Sequence, residues 1–321
     1  MLDYMRANRR EVIAGIVLVA LLSLYLSTHP RGASTYVLTI WTNQCLILGL
    51  AAIAQFFAVV VRGIDLSVGA VMALTNALAS YVLDGSAIGI AGGILAVVAA
   101  GAVCGLINGL VIVYGRIQPI VATLATASVF VGVALLLRPT PGGAVNYDLA
   151  DAMTLDVLGV PTGLIITGLL IVAFWLPFRR TGLGLGLYAV GSSEQAAFQS
   201  GMNTKAIRLA AFTLAGLFGG LAGLYYSFVT TTGDAGIAPS FTLNSVAAVV
   251  LGGVLLRGGV GSLIGALAGA FILKTIASLM FFSGIPSLAQ PLFEGMILAA
   301  AIAIGGADVL RARNRLEVIG R

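Results

Sequence analysis

The chain has 321 residues, 59% of them hydrophobic and only 9% charged, with 17 Lys and Arg against 12 Asp and Glu and a formal net charge of +5. Soluble domains carry about 25% charged residues, so this composition excludes one and predicts an all-α integral membrane protein. The single histidine, His29, excludes a histidine-based metal cluster or catalytic triad, and without a G-x-x-x-x-G-K-[ST] run the chain has no P-loop to cradle ATP phosphates.

A bilayer core about 30 Å thick takes roughly 20 apolar residues per helical span. On that measure ten spans are expected, at 11–28, 35–61, 66–83, 87–114, 118–137, 161–178, 206–229, 242–256, 260–282 and 289–305. The first has a basic flank but no small-residue cleavage site after it, so it is expected to be retained as an anchor. The eighth is short and Gly-rich, which predicts a broken or half helix near 242–256. With the N-terminus inside, the cytoplasmic loops hold Arg6, Arg9, Arg10, Arg62, Arg116, Arg179, Arg180, Lys205, Arg208, Arg257 and the tail Arg311, Arg313, Arg315 and Arg321. Only Arg31 and Arg138 fall outside, as the positive-inside rule requires. Asp84, Asp148, Asp151, Asp156 and Asp234 fall in outer loops. Ten spans then place both termini in the cytoplasm, and the positive charge reports orientation, not a nucleic-acid partner. One transmembrane domain is expected over 1–321, with a cytoplasmic loop at 181–205.

Within the spans, Cys45 and Cys104 read as small apolar groups and not as a disulfide. Small residues recur every fourth position at Gly101, Gly105 and Gly109, at Gly216 and Gly220, at Gly219 and Gly223, and at Gly261, Gly265 and Gly269. That spacing makes a flat strip where helix backbones approach closely. Lys274 and Glu294 are the ionisable residues inside spans, near the outer ends of consecutive antiparallel helices, which suits a structural pair better than a proton relay. The remaining polar groups are amides and hydroxyls. Asn43, Asn76, Asn108 and Asn244 are the candidates for lining a solute pathway, with helix-to-helix hydrogen bonding as the alternative. Residues 58–70, AVVVRGIDLSVGA, and 254–266, VLLRGGVGSLIGA, echo each other weakly.

The polar insert YAVGSSEQAAFQSGM, Tyr188 to Met202, interrupts this pattern on the positively flanked side. Ser192 and Gln195 have the spacing of a capping box, and Gly201 is placed to end the helix they begin. Glu194, Ala196, Ala197 and Phe198 fill about two turns, too short to persist in water unless docked.

Three blocks carry a resemblance over residues 35 to 305: GIDLSVGA (Gly63 to Ala70), the 188–202 insert, and AAVVLGGVLLRGGVGSLIGALAGA (Ala247 to Ala270). Together they resemble the membrane permease subunits of bacterial ABC importers of the ribose, xylose, arabinose and galactofuranose class. The resemblance implies a multi-pass protein of the bacterial inner membrane with no catalytic residues, no metal and no cofactor bound by this chain, ATP and Mg being held by a partner ATPase. Implied partners are a second permease copy or homologue, the cytoplasmic ATP-binding-cassette ATPase and a periplasmic solute-binding protein. It further implies that Ser192, Glu194, Gln195, Ala197, Phe198 and Gly201 form the ATPase-coupling helix and that Gly63, Asp65, Ser67 and Gly69 are the family motif. The outer loop 230–241, with Asp234 and Pro239, resembles the one that faces the binding protein. Read from the residues alone, Asp65 and Ser67 are expected to cap the start of a span, with a gating role as the alternative. Thr242, Leu243, Asn244 and Ser245 stand where many sugar permeases carry E-L-D-A, which leaves the particular sugar open. A monosaccharide is the expected solute; a branched-chain amino acid, a nucleoside or a signalling sugar in the same architecture is the alternative, as is a secondary transporter, which the polar insert argues against.

Overall fold

The computed structural model describes residues 9–286 and, beyond them, positions 289, 292, 293, 295, 296 and 299. Most of the expected tenth span, with Glu294, and the basic tail lie outside the described residues. The described chain is helical apart from one two-residue hairpin, Asp156–Val157 against Val160–Pro161. In order the helices are α1 (Arg9–Thr28), α2 (Thr35–Val60), α3 (Val68–Val82), α4 (Ala87–Val113), α5 (Pro119–Leu137), α6 (Tyr147–Thr154) and α7 (Thr162–Phe178). After them come α8 (Gly182–Ser192), α9 (Glu194–Gln199), α10 (Thr204–Thr230), α11 (Ala238–Leu251) and α12 (Leu263–Phe282).

By length and composition six described helices can cross a bilayer: α1, α2, α4, α5, α10 and α12. The pair α7 and α8 would add a seventh, although the two are bent by 78°. The expected count of ten is therefore not reached by helix length alone. Two reasons are local. The third expected span shortens to 15 residues because the chain leaves the helix to turn around Asp65. The eighth, expected over only 15 residues, is seen as a 14-residue helix that ends at Leu251, where Gly253 two residues on adopts φ +83°. The expected half helix is thus present, but its helical part lies over 238–251.

Most helix starts follow from the sequence. Ser34, Ser86, Asn146, Thr181, Asn203 and Ser262 each accept a first-turn N–H with the side chain, a contact worth about 1 kcal/mol. Pro119 and Pro239 lie in the first turns of α5 and α11, where a missing N–H does no harm.

Helix α2 is the centre of the molecule. It is apolar around most of its circumference, as befits a buried helix, and 94% of its span is buried, against 11% for α1. Around it pack α10, α12, α11 and α3. Small-residue strips let α4 and α10 touch: a methyl on Gly101 would lie 2.7 Å from the Gly216 oxygen and the Gly220 Cα. Phe56, Phe57, Phe174, Trp175, Phe178 and Phe218 close one aromatic cluster between α2, α7 and α10. Within α7, residues Leu170–Trp175 form a π turn just before the bend into α8. Cys45 and Cys104 are free and buried.

Candidate functional site

The helix ends fall into two groups. At one end, residues 60–67, 188–201 and 258–261 meet: the Gly259 N–H donates to the Val60 carbonyl at 2.9 Å, and the Tyr188 hydroxyl donates to the Gly261 carbonyl at 2.7 Å. At the other, the Gly142 and Gly233 backbones pair (3.0 and 2.9 Å), and the Asn146 N–H donates to the Leu83 carbonyl at 2.9 Å. Loops that charge placement puts on one side of the membrane are in contact.

The polar insert forms a helical hairpin, α8 followed by α9. Its cap differs from the expected one. Ser192 is the last residue of α8; Ser193, in extended backbone, is the N-cap of α9, its hydroxyl accepting from the Ala196 N–H at 3.2 Å. Gln195 is then one residue too early to close a capping box, and it is exposed. The physical reason is tertiary: Arg62 donates Nε–H to the Gly191 carbonyl at 2.7 Å and Nη2–H to the Ser192 carbonyl, fixing both at the end of α8. Gly201 ends α9 with φ +80°. The Gly201 N–H reaches the Phe198 carbonyl (2.9 Å) and the Met202 N–H the Ala197 carbonyl (3.1 Å), a Schellman closure. Ala197 is buried; Phe198 is 70% exposed. Glu194 lies 3.4 Å from Arg208 on α10. Beside the hairpin, Val113, Glu194, Phe198, Met202, Lys205 and Arg208 help line a cleft of about 380 Å³.

The motif residues lie just above. Asp65 is buried and its carboxylate accepts from the Ser67 N–H (2.8 Å) and hydroxyl (2.6 Å). Ser67 occupies the N-cap of α3, so Asp65 works as the capping group from two residues upstream. Asn108 on α4 donates to Ser67 Oγ at 2.7 Å and accepts from Thr126 Oγ1 on α5 at 2.5 Å. With the Gln55 amide on α2 turned so that its nitrogen faces the Asp65 carbonyl, it pairs with the Asp65 backbone, donating at 2.8 Å and accepting at 3.2 Å. Gly63 and Gly69 allow close approach: a methyl on the first would lie 2.7 Å from Phe212 Cζ, and on the second would fall on the Ala238 carbonyl.

Of the four pathway candidates, three hold elements together. Asn43 donates to the Thr154 carbonyl (2.7 Å) and accepts from the Tyr225 hydroxyl (2.8 Å); Asn76 donates to the Thr232 carbonyl (3.0 Å) and accepts from the Asp234 N–H (2.6 Å). Asn108 belongs to the Asp65 network. Asn244 is half-buried and has no hydrogen-bond partner among the described residues. In the outer loop, Asp234 caps a 3-10 turn through the Gly236 N–H at 2.7 Å, and Pro239 is exposed at the start of α11. Leu substitutions should divide accordingly. At Asn43, Asn76 and Asn108 the expected result is a stability loss of about 0.6–2 kcal/mol, the range for interhelical hydrogen bonds in membranes. At Asn244 thermal stability should hold, with any effect confined to translocation. Melting curves of the four purified variants make the comparison.

In the sequence Arg62 stands out only as a loop charge and as part of the weak repeat, Tyr188 only as the edge of the insert, and Gly258 and Gly259 only within that repeat. The available signal was the Arg-Gly pair ending an apolar run, where a helix normally closes on Gly. The two weakly similar segments, 58–70 and 254–266, touch at these residues.

The family described as branched-chain amino acid transport system / permease component matches residues 37–302. The ribose import permease protein RbsC of Escherichia coli (strain K12) is 30% identical over 304 residues, 92% of this chain and 93% of that protein. RbsC of Bacillus subtilis (strain 168) is 34% identical over 267 residues, 81% of each chain. The autoinducer 2 import system permease protein LsrD of Escherichia coli O9:H4 (strain HS) is 29% identical over 319 residues, 97% of this chain and 96% of that protein. No solved structure matches the chain.

Proposed function

The chain belongs to the branched-chain amino acid transport system / permease component family, and we propose on that premise that it is the transmembrane subunit of a bacterial ABC importer for a small neutral polar solute, a monosaccharide. It is a multi-pass protein of the inner membrane and not an enzyme; a separate ATPase hydrolyses ATP, and a periplasmic binding protein delivers the solute. Similarity to ribose and autoinducer 2 permeases over most of the chain supports the solute class. One observation carries the coupling role: a capped hairpin, held to the end of α2 by the Arg62 side chain and by close approach at Gly191, presents a 70% exposed Phe198. An exposed aromatic on a rigid mount fits a protein groove. α9 is therefore the coupling helix, and the permease pairs with a second copy or a homologue. The solute crosses by weak, replaceable hydrogen bonds, for which Asn244 is the best-placed amide. With α3, the α7 segment and α11 counted as membrane passes beside the six long helices, the described residues supply nine, and the expected tenth at 289–305, outside them, would return the chain to the cytoplasm.

Orientation has a direct test. A cysteine replacing Asp151 or Asp234 should react with a membrane-impermeant thiol reagent in intact cells, and one replacing Gln195 should not. Labelling at position 195 from outside would invert the topology. For the solute, cells carrying the permease, ATPase and binding protein should take up a labelled pentose or hexose and lose that uptake when this chain is deleted. Uptake confined to branched-chain amino acids or nucleosides would overturn the sugar assignment.

A further inference from the structure

We propose that Arg62 is the positioning residue that transmits movement of the α8–α9 hairpin to the α2–α3 junction, an inference that rests on the reading of α9 as the ATPase-docking helix. The first observation is the backbone. Arg62 closes α2 in the left-handed region at φ +63°, in a Schellman closure in which the Arg62 N–H reaches the Val59 carbonyl (3.0 Å) and the Gly63 N–H the Ala58 carbonyl (2.9 Å). Glycine takes that position without steric penalty, and a glycine stands one residue further on. An arginine there keeps an unfavourable backbone conformation, and such strain directs attention to what the side chain does.

The side chain holds the hairpin. Its guanidinium donates to the Gly191 and Ser192 carbonyls, the last two of α8, where helix carbonyls lack intrahelical partners and the dipole favours a cation. Both lie within two residues of Ser193, the extended hinge between α8 and α9. A planar fork with fixed donors can grip two successive carbonyls, whereas an ammonium is a point charge.

The surroundings remove slack. Gly258, at φ +82°, makes room for the arginine, since a methyl there would lie 2.6 Å from Arg62 Cγ. A methyl at Gly191 would fall on the Val60 carbonyl, to which Gly259 N–H is bonded. Three backbone segments thus meet without intervening side chains. Three residues beyond Arg62, Asp65 begins the Ser67, Asn108 and Thr126 network into α4 and α5. The stretch 61–67 therefore has one end on the ATPase-facing hairpin and the other on the spans, so that a push on α9 is delivered to α3, α4 and α5.

The test reconstitutes the permease with its ATPase and binding protein in vesicles and measures ATP hydrolysed and solute moved. Arg62→Ala should lower ATPase copurification and basal hydrolysis by less than about twofold, because α9 keeps its own Ser193 cap and Gly201 closure. Solute moved per ATP should fall at least about tenfold, the equilibrium factor of one charge-assisted hydrogen bond. Arg62→Lys should lie between, and it carries the same test if the alanine variant does not accumulate. A solely structural role would lower copurification, hydrolysis and transport together with thermal stability, and that parallel loss would overturn the proposal. So would a parental transport ratio in Arg62→Ala. Phe198→Asp, measured alongside, separates the two readings: normal ATPase copurification there overturns the docking helix itself, whereas its loss beside a fully coupled Arg62→Ala overturns the clamp alone.

Discussion

Phe198→Asp abolishes binding-protein-dependent uptake while the permease still reaches the membrane in normal amount. Phe198 is 70% exposed on α9, so the substitution removes little internal packing and should leave the melting temperature of the isolated permease unchanged. If α9 is the docking helix proposed above, the same side chain enters a groove of the ATPase in the assembled importer, where an unpaired carboxylate costs several kcal/mol. At about 1.4 kcal/mol per factor of ten in affinity, that disrupts the complex. Copurification of the ATPase from detergent is the measurement. Retained ATPase together with normal uptake would show that α9 is not the docking helix.

Gly216→Leu should have the largest effect on stability. The strip on α10 lies against Gly101 and Gly105 on α4, with backbone atoms where a side chain would go. Overpacking a core commonly costs about 1–3 kcal/mol because neighbouring side chains can shift. Backbone cannot rotate aside, so the two helices must separate and the loss should reach or exceed the top of that range. Gly132→Leu, on α5, is the control: an added methyl there meets nothing within 4 Å. Thermal unfolding of both purified variants checks the contrast, and a parental melting temperature for Gly216→Leu would refute the contact.

How much of this was legible in the sequence depended on whether the cause was local. Apolar length located the helices well. The expected 35–61, 87–114 and 118–137 are seen as Thr35–Val60, Ala87–Val113 and Pro119–Leu137, because nothing competes with backbone hydrogen bonding along a span. The 242–256 segment starts four residues and ends five residues earlier, since Pro239 is tolerated in a first turn and Gly253 turns left-handed after Leu251. Gly201 was readable as a terminator because its left-handed conformation is an intrinsic property of glycine. The cap was not: Gln195 three residues on favours Ser192 locally, whereas in the fold Arg62, some 130 residues away in sequence, holds the Ser192 carbonyl at the end of α8 and Ser193 takes the cap. The asparagines are the same case. An amide in a span declares that it needs a partner, yet Thr154, Thr232 and Tyr225 lie 111, 156 and 182 residues from Asn43, Asn76 and Asn43 respectively. Residue type cannot reveal contacts at that separation. The family motif was visible as a string, while its role as the meeting point of α2, α3, α4 and α5 needed the fold.

The most direct measurement is solute accumulation in sealed vesicles containing this permease, its ATPase and the loaded binding protein, with a radiolabelled monosaccharide. Accumulation should require ATP hydrolysis and all three components, and should stop when a non-hydrolysable analogue replaces ATP. Uptake that proceeds at the same rate without the ATPase, driven by an ion gradient alone, would contradict the assignment of this chain as an ABC importer permease.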